Sequence, residues 1–120
     1  MDVQGRQGLE RYGSWERMTG GEWFLPSMPE AKKEHQRTFR LVKQLNELQN
    51  TDPERAKGIL REILPEESAV PGLHVPLNLE YGCNLVCGER VFINFGATIL
   101  AQATVTLGNG VMVGPNCSLI

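Results

Sequence analysis

The stretch that decides the fold is Phe95-Gly96-Ala97-Thr98-Ile99-Leu100, Ala101-Gln102-Ala103-Thr104-Val105-Thr106, Leu107-Gly108-Asn109-Gly110-Val111-Met112, Val113-Gly114-Pro115-Asn116-Cys117-Ser118. Apolar residues recur every sixth position, as one row of Ile93, Ile99, Val105, Val111 and Cys117. A second row, two residues on, holds Phe95, Ala101, Leu107, Val113 and Leu119, with Gly96, Gly108 and Gly114 directly after it. An amphipathic helix repeats near 3.6 and a half-buried strand at 2, so neither gives this period. A six-residue repeat is the mark of a parallel β-helix, in which each hexapeptide is a short strand plus a corner. Stacked coils place like residues over like, and small residues fit where the backbone turns.

Two further hexads precede these, Tyr81-Gly82-Cys83-Asn84-Leu85-Val86 and Cys87-Gly88-Glu89-Arg90-Val91-Phe92. In the six-residue frame, Ile93-Asn94 is a two-residue insertion between the groups. Upstream the pattern changes. A helix is expected from about Pro29, with Phe39, Val42 and Leu45 as its apolar stripe, thickened by Leu41 and Leu48. Thr51-Asp52-Pro53-Glu54 reads as a capping box opening a second helix, with Ala56, Ile59, Leu60 and Ile63 on one face and Pro65 as its stop. The expected organisation is a mobile arm at 1–16, a helical unit at 17–64, a linker at 65–78 and a β-helix at 79–120. In the loop before the first helix, Trp23 and Phe24 read as apolar anchors.

Hydrophobic content of 41% and charged content of 22% are those of a globular chain of 120 residues. A net charge of −2 supplies no global field toward nucleic acid or an anionic membrane. No apolar run reaches the length of a membrane span, and the first residues carry no signal-peptide core, so the expected location is cytoplasmic. Cys83, Cys87 and Cys117 are an odd count with only two histidines in the chain, which favours small core fillers over a metal or redox site. His74, in the Pro-rich linker, reads as structural or solvated. His35, among Glu30, Lys32, Lys33, Glu34, Arg37 and Arg40, reads as part of a solvated helix face of mixed sign.

Several local sequences point further. Met18-Thr19-Gly20-Gly21-Glu22-Trp23-Phe24 precedes the helix pair, Tyr81-Gly82-Cys83-Asn84-Leu85 opens the repeats, and Phe92-Ile93-Asn94-Phe95 and Gly114-Pro115-Asn116 follow. With these, the stretch from about Arg17 to Ile120 resembles the maltose/galactoside O-acetyltransferase family. The resemblance implies a left-handed parallel β-helix behind an N-terminal helical unit, and a homotrimer with sites in the clefts between subunits. It implies acetyl transfer from acetyl-CoA, as co-substrate, to a hydroxyl of a sugar or glycoside-like acceptor. It carries over Asn94, and Phe92 beside it, as acceptor-binding residues.

The sequence also departs from the family. Its catalytic histidine comes shortly after Gly-Pro-Asn, which would lie beyond Ile120, so no catalytic residue is assigned within this chain. The acidic positions expected after Phe24 and after the Asn-Phe strand appear as Leu25-Pro26-Ser27 and Ala101-Gln102. The expectation is therefore a truncated β-helix of little more than two turns, inactive alone. The alternative is a non-catalytic β-helix interaction module that associates with itself or with a full-length relative.

Overall fold

The computed structural model describes residues 10–120. After a 3₁₀ turn at Glu10–Tyr12 come three helices: α1 (Trp15–Thr19), α2 (Pro29–Leu48) and α3 (Pro53–Ile63). Eight short strands follow: β1 (Gly72–Leu73), β2 (Leu77–Leu79), β3 (Leu85–Cys87), β4 (Phe92–Ile93), β5 (Ala97–Ile99), β6 (Val105–Leu107), β7 (Met112–Val113) and β8 (Ser118–Leu119). They form three parallel ladders, β1-β4-β7, β2-β5-β8 and β3-β6. The chain thus winds round three sides and returns to each side one level on, which is the parallel coil expected from the repeat.

The winding differs from a strict hexad in one respect. Gly72 lies against Phe92, Phe92 against Met112, and Leu85 against Val105, so one coil takes twenty residues. Three hexads supply eighteen. The two additional residues sit at the corner between the second and third sides, at 80–84 and again at 100–104. Ile93-Asn94, expected as the insertion, is in regular frame. The true inner positions are pairs flanking one outward residue, such as Leu85 and Cys87, Ala97 and Ile99, or Val105 and Leu107. Phe95, expected to point inward, is therefore 52% exposed at a corner, and Ala101 is buried at the wide corner with φ +54°. Asn84 braces that corner, donating from Nδ2 to the carbonyls of Ala101 and Gln102 at 3.0 and 3.3 Å.

The segment expected as a linker, 65–78, holds β1 and the start of β2, so the first coil begins inside it. Proline suits this level. Pro71 directly precedes β1 and Pro76 directly precedes β2, at strand starts where proline is tolerated, and the Pro76 carbonyl accepts from the Gly96 N–H at 2.9 Å.

The helices cover that first coil. Helix α2 turns Ala31, Thr38, Leu41, Val42 and Leu45 inward, and α3 turns Ala56, Ile59, Leu60 and Ile63. Leu41, Val42 and Leu45 of α2 and the four residues of α3 join the inward residues of the coils in one core cluster, while Ala31 packs with Met18, Met28 and Tyr81 in a second. Phe39 does not join the expected stripe and is 53% exposed, because Thr38 takes the facing position. Asp52, not Thr51, caps α3, accepting from the Arg55 N–H at 3.3 Å. In the stretch expected as an arm, residues 1–9 lie outside the described residues, while Trp15 starts α1 and meets Tyr81 edge-on at 6.0 Å. Phe24 packs against the cluster of Met18, Met28, Ala31 and Tyr81 as expected, but Trp23 is 85% exposed.

An uncovered first coil would present a row of unpaired backbone groups. Side chains of the helical unit and of the turn after it pair them instead. The Asn46 amide behaves as a strand segment, accepting from Leu77 N–H and donating to Leu77 C=O, both at 3.0 Å. Gln49 donates to Leu73 C=O at 3.1 Å, Thr38 Oγ1 accepts from Gly82 N–H at 3.0 Å, and Ser68 Oγ accepts from Cys87 N–H at 2.8 Å. Gly82 is required for this approach, since a Cβ there would sit 2.6 Å from Ile63 Cγ2 and 2.8 Å from its carbonyl oxygen. Gly82→Ala is expected to cost about 1–3 kcal/mol by overpacking, read as a lower urea midpoint; an unchanged midpoint would show that the helical unit does not sit on the coil in this way.

Candidate functional site

The ladders bring together a corner that the sequence holds twenty residues apart. Strand β4 carries Phe92 and leads into Asn94 and Phe95. His74 follows β1, and its backbone N–H donates to Ile93 C=O at 2.9 Å, which fixes it one coil before Asn94. Gly72 lies opposite Phe92, and any Cβ there would meet the Phe92 ring at 2.9 Å. The His74 ring stacks on Phe95, with centroids 4.4 Å apart and planes at 27°, and meets Phe92 edge-on at 4.9 Å. Its Nδ1 lies 3.3 Å from Asn94 Oδ1. Asn94 Oδ1 also accepts from the Phe95 N–H at 2.9 Å.

The two expected site residues, Phe92 and Asn94, are thus neighbours on one half-exposed corner. His74, expected as structural or solvated, is exposed and stands beside them, a placement that the six-residue frame does not give. The signal was available: a twenty-residue coil puts His74 in the column of Asn94, whereas a six-residue frame does not. The corner combines amide donors with aromatic faces. Among Gly72, His74, Phe92, Asn94 and Phe95, which build it, His74 is the titratable side chain.

A second polar cluster lies where α2 meets the wide corner. His35, expected as plain surface, is half-buried, with its ring 4.0 Å from Phe39 and edge-on to Tyr81 at 6.1 Å. Its Nδ1 stands 3.6 Å from a Glu80 carboxylate oxygen, and Gln102 Nε2 donates to the other at 3.4 Å. His35, Glu80 and Gln102 line a cleft of about 540 Å³ with Pro26, Lys32 and Tyr81. Burial, with the Glu80 carboxylate beside it, raises the Tyr81 hydroxyl above its ordinary pKa.

Glu34 and Arg37, also read as solvated, form a structural knot. Glu34 receives Arg37 Nε at 2.7 Å and Nη2 at 2.9 Å, Thr38 Oγ1 at 3.1 Å and the Cys83 N–H at 3.0 Å. Arg37 also donates to the carbonyls of Glu62 and Ile63 at 3.0 and 2.9 Å, tying α2, the end of α3 and the wide corner together. Burial alone would raise the Glu34 pKa, but the Arg37 guanidinium and the Cys83 N–H outweigh it and hold the carboxyl below its ordinary 4.5. Burial, then the Glu34 carboxylate, push the Cys83 thiol up to about 12. Cys83 is therefore a neutral packing group, and Cys87 is buried among the apolar residues of the coil. Among the described residues, no three His, Cys, Asp or Glu side chains converge as a metal site would need.

Residues 17–67, the helical unit, match the family described as the maltose acetyltransferase hexapeptide capping motif. The chain is 33% identical over 100 residues to nodulation protein L of Rhizobium leguminosarum bv. viciae, a match covering 83% of this chain and 53% of that protein. It is 25% identical over 104 residues to galactoside O-acetyltransferase of Escherichia coli K12, covering 87% and 51%. Among solved structures, it resembles a hexapeptide-repeat acetyltransferase of Vibrio cholerae O1 biovar eltor, complexed with acetyl coenzyme A, with a TM-score of 0.70 and 27% identity over 88% of this chain and 57% of that one. The chain is a homologue of the maltose and galactoside O-acetyltransferases, and it spans about half the length of the curated relatives it matches. The family resemblance read from the sequence is correct.

Two outcomes check the electrostatics. Glu34→Gln is expected to destabilise the chain by about 1–3 kcal/mol at neutral pH, as loss of a charge-assisted hydrogen bond does. Because the folded carboxyl titrates below 4.5, its contribution is intact above that pH and disappears as pH falls through the lowered folded value, so the urea midpoints of variant and wild type should converge there. A gap that persists unchanged in acid would contradict the ion pair's role. Cys83, protonated far above neutrality, should alkylate with iodoacetamide at pH 8 much more slowly than a free thiol; rapid modification of Cys83 in the folded chain would refute the raised thiol pKa.

Proposed function

We propose that these residues form the helical cap and the acceptor-facing coils of an acetyl-CoA-dependent O-acetyltransferase that acts on a hydroxyl of a sugar or similar glycoside. The coil is left-handed, and the working enzyme is a homotrimer with its sites between neighbouring coils. The observation that carries this reading is the Asn94 corner. It places an amide beside Phe92 and Phe95 on the outside of the coil, in a chain whose homologues are acetyltransferases of this kind.

The chemistry is direct transfer. A base removes the proton of the acceptor hydroxyl as its oxygen attacks the thioester carbonyl. The tetrahedral oxyanion is met by hydrogen-bond donors, and the thiolate of coenzyme A leaves. In this scheme Asn94 orients the acceptor through its side-chain N–H groups, and Phe92 lies against the apolar face of the ring. The base is a histidine expected after Gly114-Pro115-Asn116, and none of the 120 residues stands there. Neither His35 nor His74 matches that place, and no residue here is assigned to coenzyme A.

Two measurements test the reading. Removal of a general base costs about a hundred- to ten-thousandfold, so a polypeptide of these 120 residues alone should transfer no acetyl above background from labelled acetyl-CoA to maltose or methyl galactoside. Robust turnover would contradict the assignment of the base. In the same polypeptide, titration with those glycosides should shift the NMR signals of Phe92, Asn94 and Phe95, and Asn94→Ala should weaken that response about tenfold, the loss of one or two hydrogen bonds. A response confined to other surfaces would overturn the acceptor assignment.

A further inference from the structure

We propose that His74 is a positioning residue for Asn94: it fixes the Asn94 amide so that both Nδ2 protons remain available to an oxygen of a polyhydroxyl ligand. The proposal rests on the reading of Asn94 as an acceptor contact. It deepens that reading by assigning the group that aims the contact.

The argument starts from an atom that has no choice. The Phe95 backbone N–H, 2.9 Å from the Asn94 side chain, can only donate, so the Asn94 atom facing it is oxygen. That settles which end of the amide is which. His74 Nδ1 lies 3.3 Å from the same oxygen, which can only accept. Nδ1 must therefore carry a proton, and a neutral His74 is the Nδ1–H tautomer. Two donors then occupy the two lone pairs of Oδ1 and fix the plane of the amide. Among the described residues, Asn94 Nδ2 makes no hydrogen bond. Its two N–H groups are left facing away from both donors, on a half-exposed residue.

His74 is itself held on three sides. Its backbone N–H is in the ladder to Ile93, Phe95 lies flat against the ring, and Phe92 meets it edge-on. An exposed histidine would ordinarily sample several rotamers. This one is clamped by the aromatic residues that flank Asn94, so the contact spends little side-chain entropy on binding. The polar group that would touch the ligand and the groups that would line its apolar face are thus one unit, assembled from two successive coils.

Two variants separate ring packing from hydrogen bonding. His74→Phe keeps an aromatic ring between Phe92 and Phe95 but has no N–H. His74→Asn drops the ring and restores a donor near the position of Nδ1. In the 120-residue chain, long-range proton–nitrogen spectra should show neutral His74 protonated at Nδ1. In His74→Phe the Asn94 side-chain resonances should move toward those of a free amide, and the dissociation constant for methyl galactoside should rise about two- to tenfold, the value of one exposed hydrogen bond. His74→Asn should recover much of both, which a purely packing role for His74 would not allow. Protonation of neutral His74 at Nε2 alone, or Asn94 resonances unchanged in His74→Phe, would overturn the proposal; the first is read in the wild type and does not depend on a variant folding. If Asn94 responds to His74→Phe while the wild-type Asn94 ignores the glycoside, the positioning hydrogen bond stands and the acceptor reading falls.

Discussion

A parallel coil has a first level, and the backbone groups on its outer edge must find partners. This requirement organises the whole chain. The ladder that pairs β4 with β1 leaves β1 with nothing before it, and the same holds for β2 and β3. The helical unit answers with polar side chains rather than with another strand. Asn46 imitates a neighbouring peptide group at Leu77, Thr38 and Glu34 receive the N–H groups of the wide corner, and Gln49 reaches Leu73. These polar residues share α2 with the apolar ones that close the core beneath them. Hydrophobic burial brings the helices down onto the coil, and the hydrogen bonds fix where they land. An unpaired buried donor or acceptor costs about 1–3 kcal/mol, so a cap in the wrong register would be penalised several times over.

The same requirement explains what could and could not be read from the sequence. Periodicity reports which residues face inward, and it gave the parallel coil, both long helices and the inner face of α3. It misplaced residues wherever the backbone departed from the period. The wide corner at 100–104 shifts the inner row by two, so Phe95 is exposed while Ala101 is buried. The β1 segment was hidden because its prolines look like a linker; standing at strand starts, they are compatible with the coil. Glu34, Arg37 and His35 looked like solvent-facing charge because their partners, the Cys83 N–H, the α3 carbonyls and Glu80, are distant in sequence. Trp23 illustrates the opposite error, since size alone does not give a side chain a pocket.

The site follows the coil rather than the motif. Asn94 and Phe92 were visible because they belong to a short, recognisable run. His74 was not, because its relation to them exists only once the length of a coil is known. Residues twenty apart become neighbours, so a corner can gather an amide, an imidazole and two rings without any of them being close in sequence. The ladders fix the backbone of His74, Phe92 and Asn94, and with it the spacing of their side chains. The match covers 53% of nodulation protein L and 51% of the galactoside O-acetyltransferase. The half represented here holds the cap and the wall that, in the proposed function, faces the acceptor.

The most direct test of the capping principle is native-state hydrogen exchange at the first coil. The amides of Leu77, Gly82, Cys83 and Cys87 donate to Asn46, Thr38, Glu34 and Ser68. They should be protected as strongly as amides within the ladders, such as Thr98, and Asn46→Leu should release Leu77 while leaving Thr98 protected. Exchange of Leu77 at the rate of an open loop in the wild type, or equal protection in wild type and variant, would show that the helical unit does not close the coil.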